Sequence, residues 1–196
     1  MKCVKNQLFG LFLSVSCLSA TAQVKFPVTD NDLRQNLQKV VADFPNALKS
    51  LKTDTIEVNA QTIEFASALD FPMATRNWIT EYKSIKPVHS WEAVLLETED
   101  FEEAEKKYKW LYNQLKAMTI KIKGGYSFTL DGKYDAPEES RTFSSSIFKM
   151  TPNAVNMPKL KIEAAMQFTF PAEWKVSLLV YEKEREDHER GDINGN

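Results

Sequence analysis

The sequence predicts an α+β fold in which two main helices pack on one face of an antiparallel or mixed β-sheet. The clearest helix signal runs from Asp100 to Met118, where apolar residues recur every three or four positions and form one stripe. The stretch before it, His89 to Glu97, alternates like a pleated strand and places Trp91, Ala93 and Leu95 on one face. The apolar stripe of a helix must be buried against another apolar surface, and the neighbouring strand can supply one as part of a sheet. These two segments therefore predict a helix packed on a sheet.

The N-terminal stretch predicts a cleaved export signal over residues 1–22. Lys2 and Lys5 form a basic start, Leu8 to Leu18 is an apolar run, and Ala20-Thr21-Ala22 offers the small residues that signal peptidase requires. The apolar run is far shorter than the roughly 20 residues that cross a bilayer. We therefore expect a periplasmic or secreted protein whose mature chain begins at Gln23.

An alternative places Cys17 in a lipoprotein processing site, Ser14 to Cys17, which would anchor the protein by lipid. No later segment is long and apolar enough to span a membrane, so no transmembrane segment is expected after signal cleavage. The predicted organisation is a signal peptide at 1–22, a single α+β domain at 23–183 and a charged, disordered tail at 184–196.

Charge and cysteine content exclude several classes of function. The chain carries 25 basic and 27 acidic residues, and removal of the signal makes its net charge about −4, which argues against nucleic acid or an anionic membrane as the main partner. Both cysteines, Cys3 and Cys17, lie in the signal. The mature domain is therefore expected to lack disulfides, thiolate metal ligands and a cysteine nucleophile.

The first half of the domain is expected to begin with a helix capped by Thr29 or Asp30. Pro45 should break it after Phe44, and a short second piece should continue to Leu51. About three strands follow, with a bulge or turn at Asn59-Ala60 and with Trp78, Thr80 and Tyr82 on one face of the second main strand. The predicted strand regions are 53–65, 76–85 and 89–97, and the helix over 100–118 follows them.

The second half is predicted to contain a weak strand pair, a polar loop, one further strand and a strong strand pair. Gly124-Gly125 should turn the weak pair, and Pro171-Ala172-Glu173 should turn the strong one. The predicted regions are strands at 120–122 and 126–130, an exposed loop at 131–141, a strand at 142–150, a linker at 151–158, and strands at 160–170 and 174–180.

The order of helix, three strands, helix and two or more strands, with Trp91 and Trp174 in strands, resembles the layout of the type III secretion chaperone-like fold. It is similar as well to small exported proteins of unknown function with that arrangement. The resemblance covers residues 30–182 and concerns layout alone. It implies the α+β fold and transfers no functional residue.

Few residues offer catalytic or metal chemistry. The two histidines, His89 and His188, form no metal-binding motif, and His89 is expected at a surface or edge. No nucleophile elbow or phosphate-binding loop is present, so no metal or cofactor is expected. The acidic run over 97–105 could hold calcium or a carboxylate pair, but its position at a helix start favours helix-capping electrostatics.

Aromatic residues provide the candidate binding site. Trp78 and Tyr82 in a strand and Trp110 on the long helix could line a groove for a sugar, a peptide or an apolar ligand, and Trp110 lies off the main stripe as an exposed contact would. Trp91 and Trp174 are expected in the core. The first hypothesis is therefore a non-catalytic envelope protein that binds a protein partner or small ligand. The alternatives are a carboxylate-based hydrolase of carbohydrate and a carrier of a small apolar ligand.

Overall fold

The protein's computed structural model describes residues 30–122, 124–152, 157 and 159–182. Within these residues the chain forms two α-helices, one 3₁₀ helix and one nine-stranded antiparallel sheet, so the α+β class is confirmed. The predicted signal peptide, the residues around its cleavage point and the predicted tail lie outside the described residues. The elements in chain order are α1 (Asp30–Asp43), the 3₁₀ helix (Phe44–Asn46), β1 (Lys52–Val58), β2 (Thr62–Ser67), β3 (Arg76–Tyr82), β4 (Val88–Thr98), α2 (Phe101–Ala117), β5 (Thr119–Lys121), β6 (Ser127–Gly132), β7 (Phe143–Thr151), β8 (Lys161–Thr169) and β9 (Glu173–Tyr181).

The spatial order of the strands is β1-β2-β3-β4-β9-β8-β7-β6-β5. Four strands precede α2, so the predicted order of helix, three strands, helix is wrong. The reason is that Asn59 and the two residues after it form a hairpin turn, in which the Asn59 N–H donates to the Thr62 carbonyl at 2.9 Å. One predicted strand region is thus two antiparallel strands, and the chaperone-like layout loses that part of its support.

The first helix ends two residues before Pro45. α1 stops at Asp43, and Pro45 lies in the first turn of the 3₁₀ helix, where its missing N–H costs nothing. Ala47 and Leu48 then take positive φ angles of 57° and 55°. This left-handed turn redirects the chain into β1, so the predicted helical continuation to Leu51 does not form.

The second helix begins at an aspartate cap. The Asp100 Oδ1 accepts hydrogen bonds from the backbone N–H groups of Glu102 at 2.8 Å and Glu103 at 3.2 Å. Both glutamates lie in the first turn, where the helix dipole favours negative charge. The capping interpretation of the acidic run is confirmed at these residues.

One large core joins both helices to alternate residues of the sheet. The buried stripes of α1 and α2 pack with side chains such as Ile79, Trp91, Trp174 and Val176, and Trp91 is fully buried. We call the sheet surface that carries these side chains the helix face. The predicted core positions of Trp91 and Trp174 are confirmed.

The segment from Thr119 to Thr151 extends the sheet rather than forming a separate lobe. β7, β6 and β5 continue it outward from β8, and β5 forms one edge. The region predicted as an exposed loop is partly anchored: the Tyr134 ring lies 4.9 Å from the Tyr112 ring, and the Asp135 carboxylate accepts from the Arg141 guanidinium at 2.9 Å. The prediction of a wholly exposed loop is therefore wrong at these residues.

Replacement of Asp100 by Ala should remove both cap bonds and lower the free energy of unfolding by about 1 kcal/mol. For a domain of this size that corresponds to a fall of roughly 2–4 °C in melting temperature. Thermal unfolding followed by circular dichroism would measure it, with Glu99→Ala as the matched control because Glu99 is the exposed residue before the cap. An equal fall in both variants would contradict the role of the cap.

Candidate functional site

The side chains that alternate with the core residues form the other surface of the sheet, which we call the opposite face. Trp78 and Tyr82 lie there on β3, and both are half-buried. Trp78 pairs across the ladders with Ala66 of β2 and with Glu92 of β4. Consecutive residues of a strand point to opposite sides, and the neighbour Ile79 belongs to the core, so the tryptophan ring projects away from the helices.

Charged groups from neighbouring strands surround Trp78. The Glu92 Oε1 accepts from the Ser177 hydroxyl at 2.9 Å and lies 3.3 Å from the Lys175 ammonium. The guanidinium of Arg76, on β3 itself, lies 5.6 Å from the centre of the Trp78 ring and 2.7 Å from the carboxylate of Glu97 on β4. The result is an aromatic surface bordered by two carboxylates and two cations.

Two further carboxylates extend this surface toward β1. Glu57 of β1 stands directly opposite Glu64 of β2, which places like charges side by side. Burial raises the pKa of Glu64 above its ordinary value, and the negative charges of Glu57 and Glu92 raise it further. Glu64 is therefore easier to protonate than an ordinary glutamate.

The opposite face is not exposed over its whole width. Phe143, Ala165, Leu179 and Tyr181 form a second, smaller buried cluster on β7, β8 and β9. Within it the Tyr181 hydroxyl donates to the Glu163 Oε2 at 2.6 Å, and both residues are buried. The face is accessible from β1 to β4 around Trp78, and again on β5 and β6 beyond the buried cluster.

The three sequence-predicted binding residues do not form one groove. Trp78 and Tyr82 share the opposite face, four residues apart on β3. Trp110 packs against the main core on the helix side of the sheet, where it is half-buried rather than exposed, and the Lys107 ammonium lies 4.5 Å from its ring centre. Desolvation by burial lowers the pKa of Lys107. The sheet therefore separates Trp110 from the other two.

His89 belongs to a polar cluster on the helix face, which corrects its predicted surface position. Only 9% of the residue is exposed, and its Nε2 lies 3.2 Å from the Glu81 Oε2, which also accepts from the Lys52 ammonium at 2.6 Å. Burial lowers the pKa of His89 and the nearby Lys52 charge lowers it further, although Glu81 and Glu182 oppose both effects. The Lys52 hydrogen bond lowers the pKa of Glu81.

Sequence reasoning missed the carboxylates Glu57, Glu64 and Glu92 and the cations Arg76 and Lys175. Each occupies a polar position of an alternating strand, which by itself is typical of any solvated sheet face. Only the cross-strand register could have shown that these residues lie together. That register is hard to predict for Glu92, because β4 and its partner β9 are distant in sequence. Periodicity within one strand carries no information about such a pairing.

The described residues contain no group of three or more histidine, cysteine, aspartate or glutamate side chains arranged to hold a metal ion. Neither described helix has the length and hydropathy needed to cross a membrane. Comparison of the chain with protein-family models, curated proteins and solved structures gave no match. The geometry of the opposite face is therefore the main basis for a functional assignment.

The His89 cluster predicts that stability falls in mild acid. The folded-state pKa of His89 lies below the ordinary value of 6.5, so the unfolded chain binds the proton first as pH falls below about 6.5. The free energy of unfolding should decrease from there to the folded pKa of His89. Glu81, with a folded pKa below 4.5, should add a further loss at lower pH.

Urea unfolding at a series of pH values would measure this dependence. His89→Gln removes the titrating ring, so its stability should change less than that of the wild type between pH 7 and about 5.5. An unchanged slope in the variant would show that other groups cause the dependence.

Proposed function

We propose that this is an exported, non-catalytic protein of the periplasm or cell envelope that binds a protein partner or ligand through the opposite face. The observation that carries the proposal is the half-buried Trp78 ring among Arg76, Glu92 and Lys175. Tryptophan and arginine are the residues most enriched at energetically important contacts. A pair of accessible rings on a rigid strand loses little conformational entropy on binding.

The packing of the site supports a binding surface more than a deep active site. Glu92 is held by Ser177 and Lys175, and Arg76 is held by Glu97, so these charged groups are positioned before any partner arrives. Pre-positioned charges on a sheet face can recognise a complementary surface without a cleft. The export signal predicted from the sequence provides the proposed location.

Replacement of Trp78 by Ala should weaken partner binding by about thirtyfold, the effect of losing a contact worth about 2 kcal/mol. The full chain, expressed with its own leader, would be immobilised, exposed to native cell-envelope extract and compared with its variants by quantitative mass spectrometry. Tyr126→Ala is the matched control because Tyr126 is a 66% exposed aromatic residue outside the opposite-face site. The control should retain the partner.

Two outcomes would contradict this site. A partner retained by Trp78→Ala would remove the proposed contact. A partner lost in Trp110→Ala and kept by Trp78→Ala would move the contact to the helix side of the sheet. Circular dichroism of each variant separates loss of contact from loss of fold.

The second candidate is a carboxylate-based hydrolase acting on carbohydrate, and the raised pKa of Glu64 favours it. A protonated Glu64 could serve as the general acid, and Glu92, which Lys175 holds by an ion pair, could serve as the ionised base. In the register of the sheet Glu64 lies level with Ser90, two residues from Glu92, so their backbone positions are roughly 12 Å apart. The inverting class, whose carboxyl groups lie about 6.5–9.5 Å apart, suits this separation better than the retaining class.

If this candidate holds, Glu64→Gln and Glu92→Gln should each reduce release of reducing sugar from a polysaccharide panel by about a hundredfold or more. Glu139→Gln, in the exposed loop between β6 and β7, is the matched control and should retain the activity. A wild-type protein inactive on the whole panel would eliminate this candidate. The carrier of an apolar ligand stays a prediction from the sequence.

A further inference from the structure

The β1 strand has an exposed outer edge. β1 pairs with β2 on one side, and the described part of the chain places no strand on its other side. Six of its seven residues are exposed, including Ile56 at 58% and Val58 at 62%. An edge strand presents unpaired backbone N–H and C=O groups, and proteins usually keep large apolar side chains away from such an edge.

Part of this edge is protected. The register between β1 and β2 shifts on either side of Thr55, and such irregularities hinder pairing with a second strand. The register is regular from Glu57 to Val58, where the two residues face Glu64 and Ile63. The accessible template is therefore the C-terminal half of β1.

This template lacks positive charge on the opposite face. Glu57 and Glu64 stand directly across from one another, and the ion pairs of the described residues include neither carboxylate. Like charges at directly opposed positions destabilise a sheet. A cation placed beside Glu57 would offset that repulsion.

The next residue of the template, Val58, is apolar rather than charged. Val58 pairs with Ile63 on the helix face, and the two form a short apolar row that ends at Glu81, the β3 partner of Ile63. Successive residues of an added strand would alternate between the acidic face and this apolar row. The complementary sequence is therefore one in which basic and apolar residues alternate.

The geometry points to β1 as a docking edge for an extended segment of another protein, with alternating basic and apolar residues, that joins the sheet as an additional strand beside Glu57 and Val58. Backbone hydrogen bonds supply the pairing, and the charge of Glu57 selects the segment.

A second copy of this chain is a poor occupant of the same edge. The only cation of β1 is Lys52, whose ammonium is bound to Glu81 at 2.6 Å and lies over the Phe65 ring. The other charged residues of β1 are Asp54 and Glu57. Two β1 strands side by side would thus bring acids together, which disfavours the β1 strand of a second copy as the occupant.

The test uses the full chain and fluorescent peptides of repeating Lys-Val or Glu-Val, titrated at low ionic strength and followed by anisotropy. The Lys-Val peptide should bind, the Glu-Val peptide should not, and N-methylation of alternate Lys-Val amides should abolish binding by removing the pairing donors. Glu57→Lys should weaken the Lys-Val peptide by about fivefold or more. Glu139→Lys makes the same charge change in a distant exposed loop and should leave the affinity unchanged.

Several results would overturn the docking edge. They are failure of the Lys-Val peptide to bind, equal binding by the N-methylated peptide, equal binding by Glu57→Lys, or equal weakening by Glu139→Lys, which would indicate attraction to net charge alone. If Glu57→Lys does not fold, Glu57→Gln replaces it, with a smaller weakening expected. Trp78→Ala should bind the Lys-Val peptide normally, so this inference stands or falls separately from the proposed function.

Discussion

The hydrogen-bonded ladder between β4 and β9 is the constraint on which the rest of the structure depends. It joins the strands before α2 to those after it, pairing Ser90 with Tyr181 at one end and Thr98 with Trp174 at the other. Pairing of strands so distant in sequence must overcome the entropy of closing a long loop. The burial of Trp91 and Val180 on the helix face supplies the compensation, because α2 packs on both strands.

The same ladder positions the candidate site. Apart from the register shift between Val94 and Leu96, β4 and β9 residues that face the core alternate with residues that face away. The pairing that buries Trp91 therefore also places Glu92 beside β9, within reach of Ser177 and Lys175. Glu92 is held at the centre of a nine-stranded sheet, the part least able to move. Glu57, at the edge, lacks this support. The molecule therefore combines a pre-organised central surface with a border whose Glu57 carboxylate forms no ion pair with the described residues.

The sequence predicted the elements that depend on local pattern. The stripe of α2, the acidic residues at its start, the break at Pro45 and the alternation of β8 and β9 are properties of neighbouring residues, and the structure confirms them. Two mistakes are local: the hairpin at Asn59, which divides one predicted strand region, and the left-handed turn at Ala47 and Leu48. The others concern long-range packing. The burial of His89 depends on Lys52 and Glu81 from other strands, and the half-burial of Trp110 depends on how α2 is set against the sheet. Periodicity within one segment cannot report either arrangement.

Glu64 lies next to the docking edge and belongs to the candidate catalytic pair, and the two proposed activities place opposite requirements on its pKa. It borders the edge through Glu57 and the central surface through the charge of Glu92. A basic strand docked at β1 would bring positive charge near Glu64 and lower its pKa, whereas a general acid requires that pKa to stay raised. A basic partner at the edge and acid catalysis at Glu64 are therefore antagonistic. The direction in which the pKa of Glu64 moves on binding of a basic segment distinguishes a protein that uses this carboxylate for recognition from one that uses it for proton transfer.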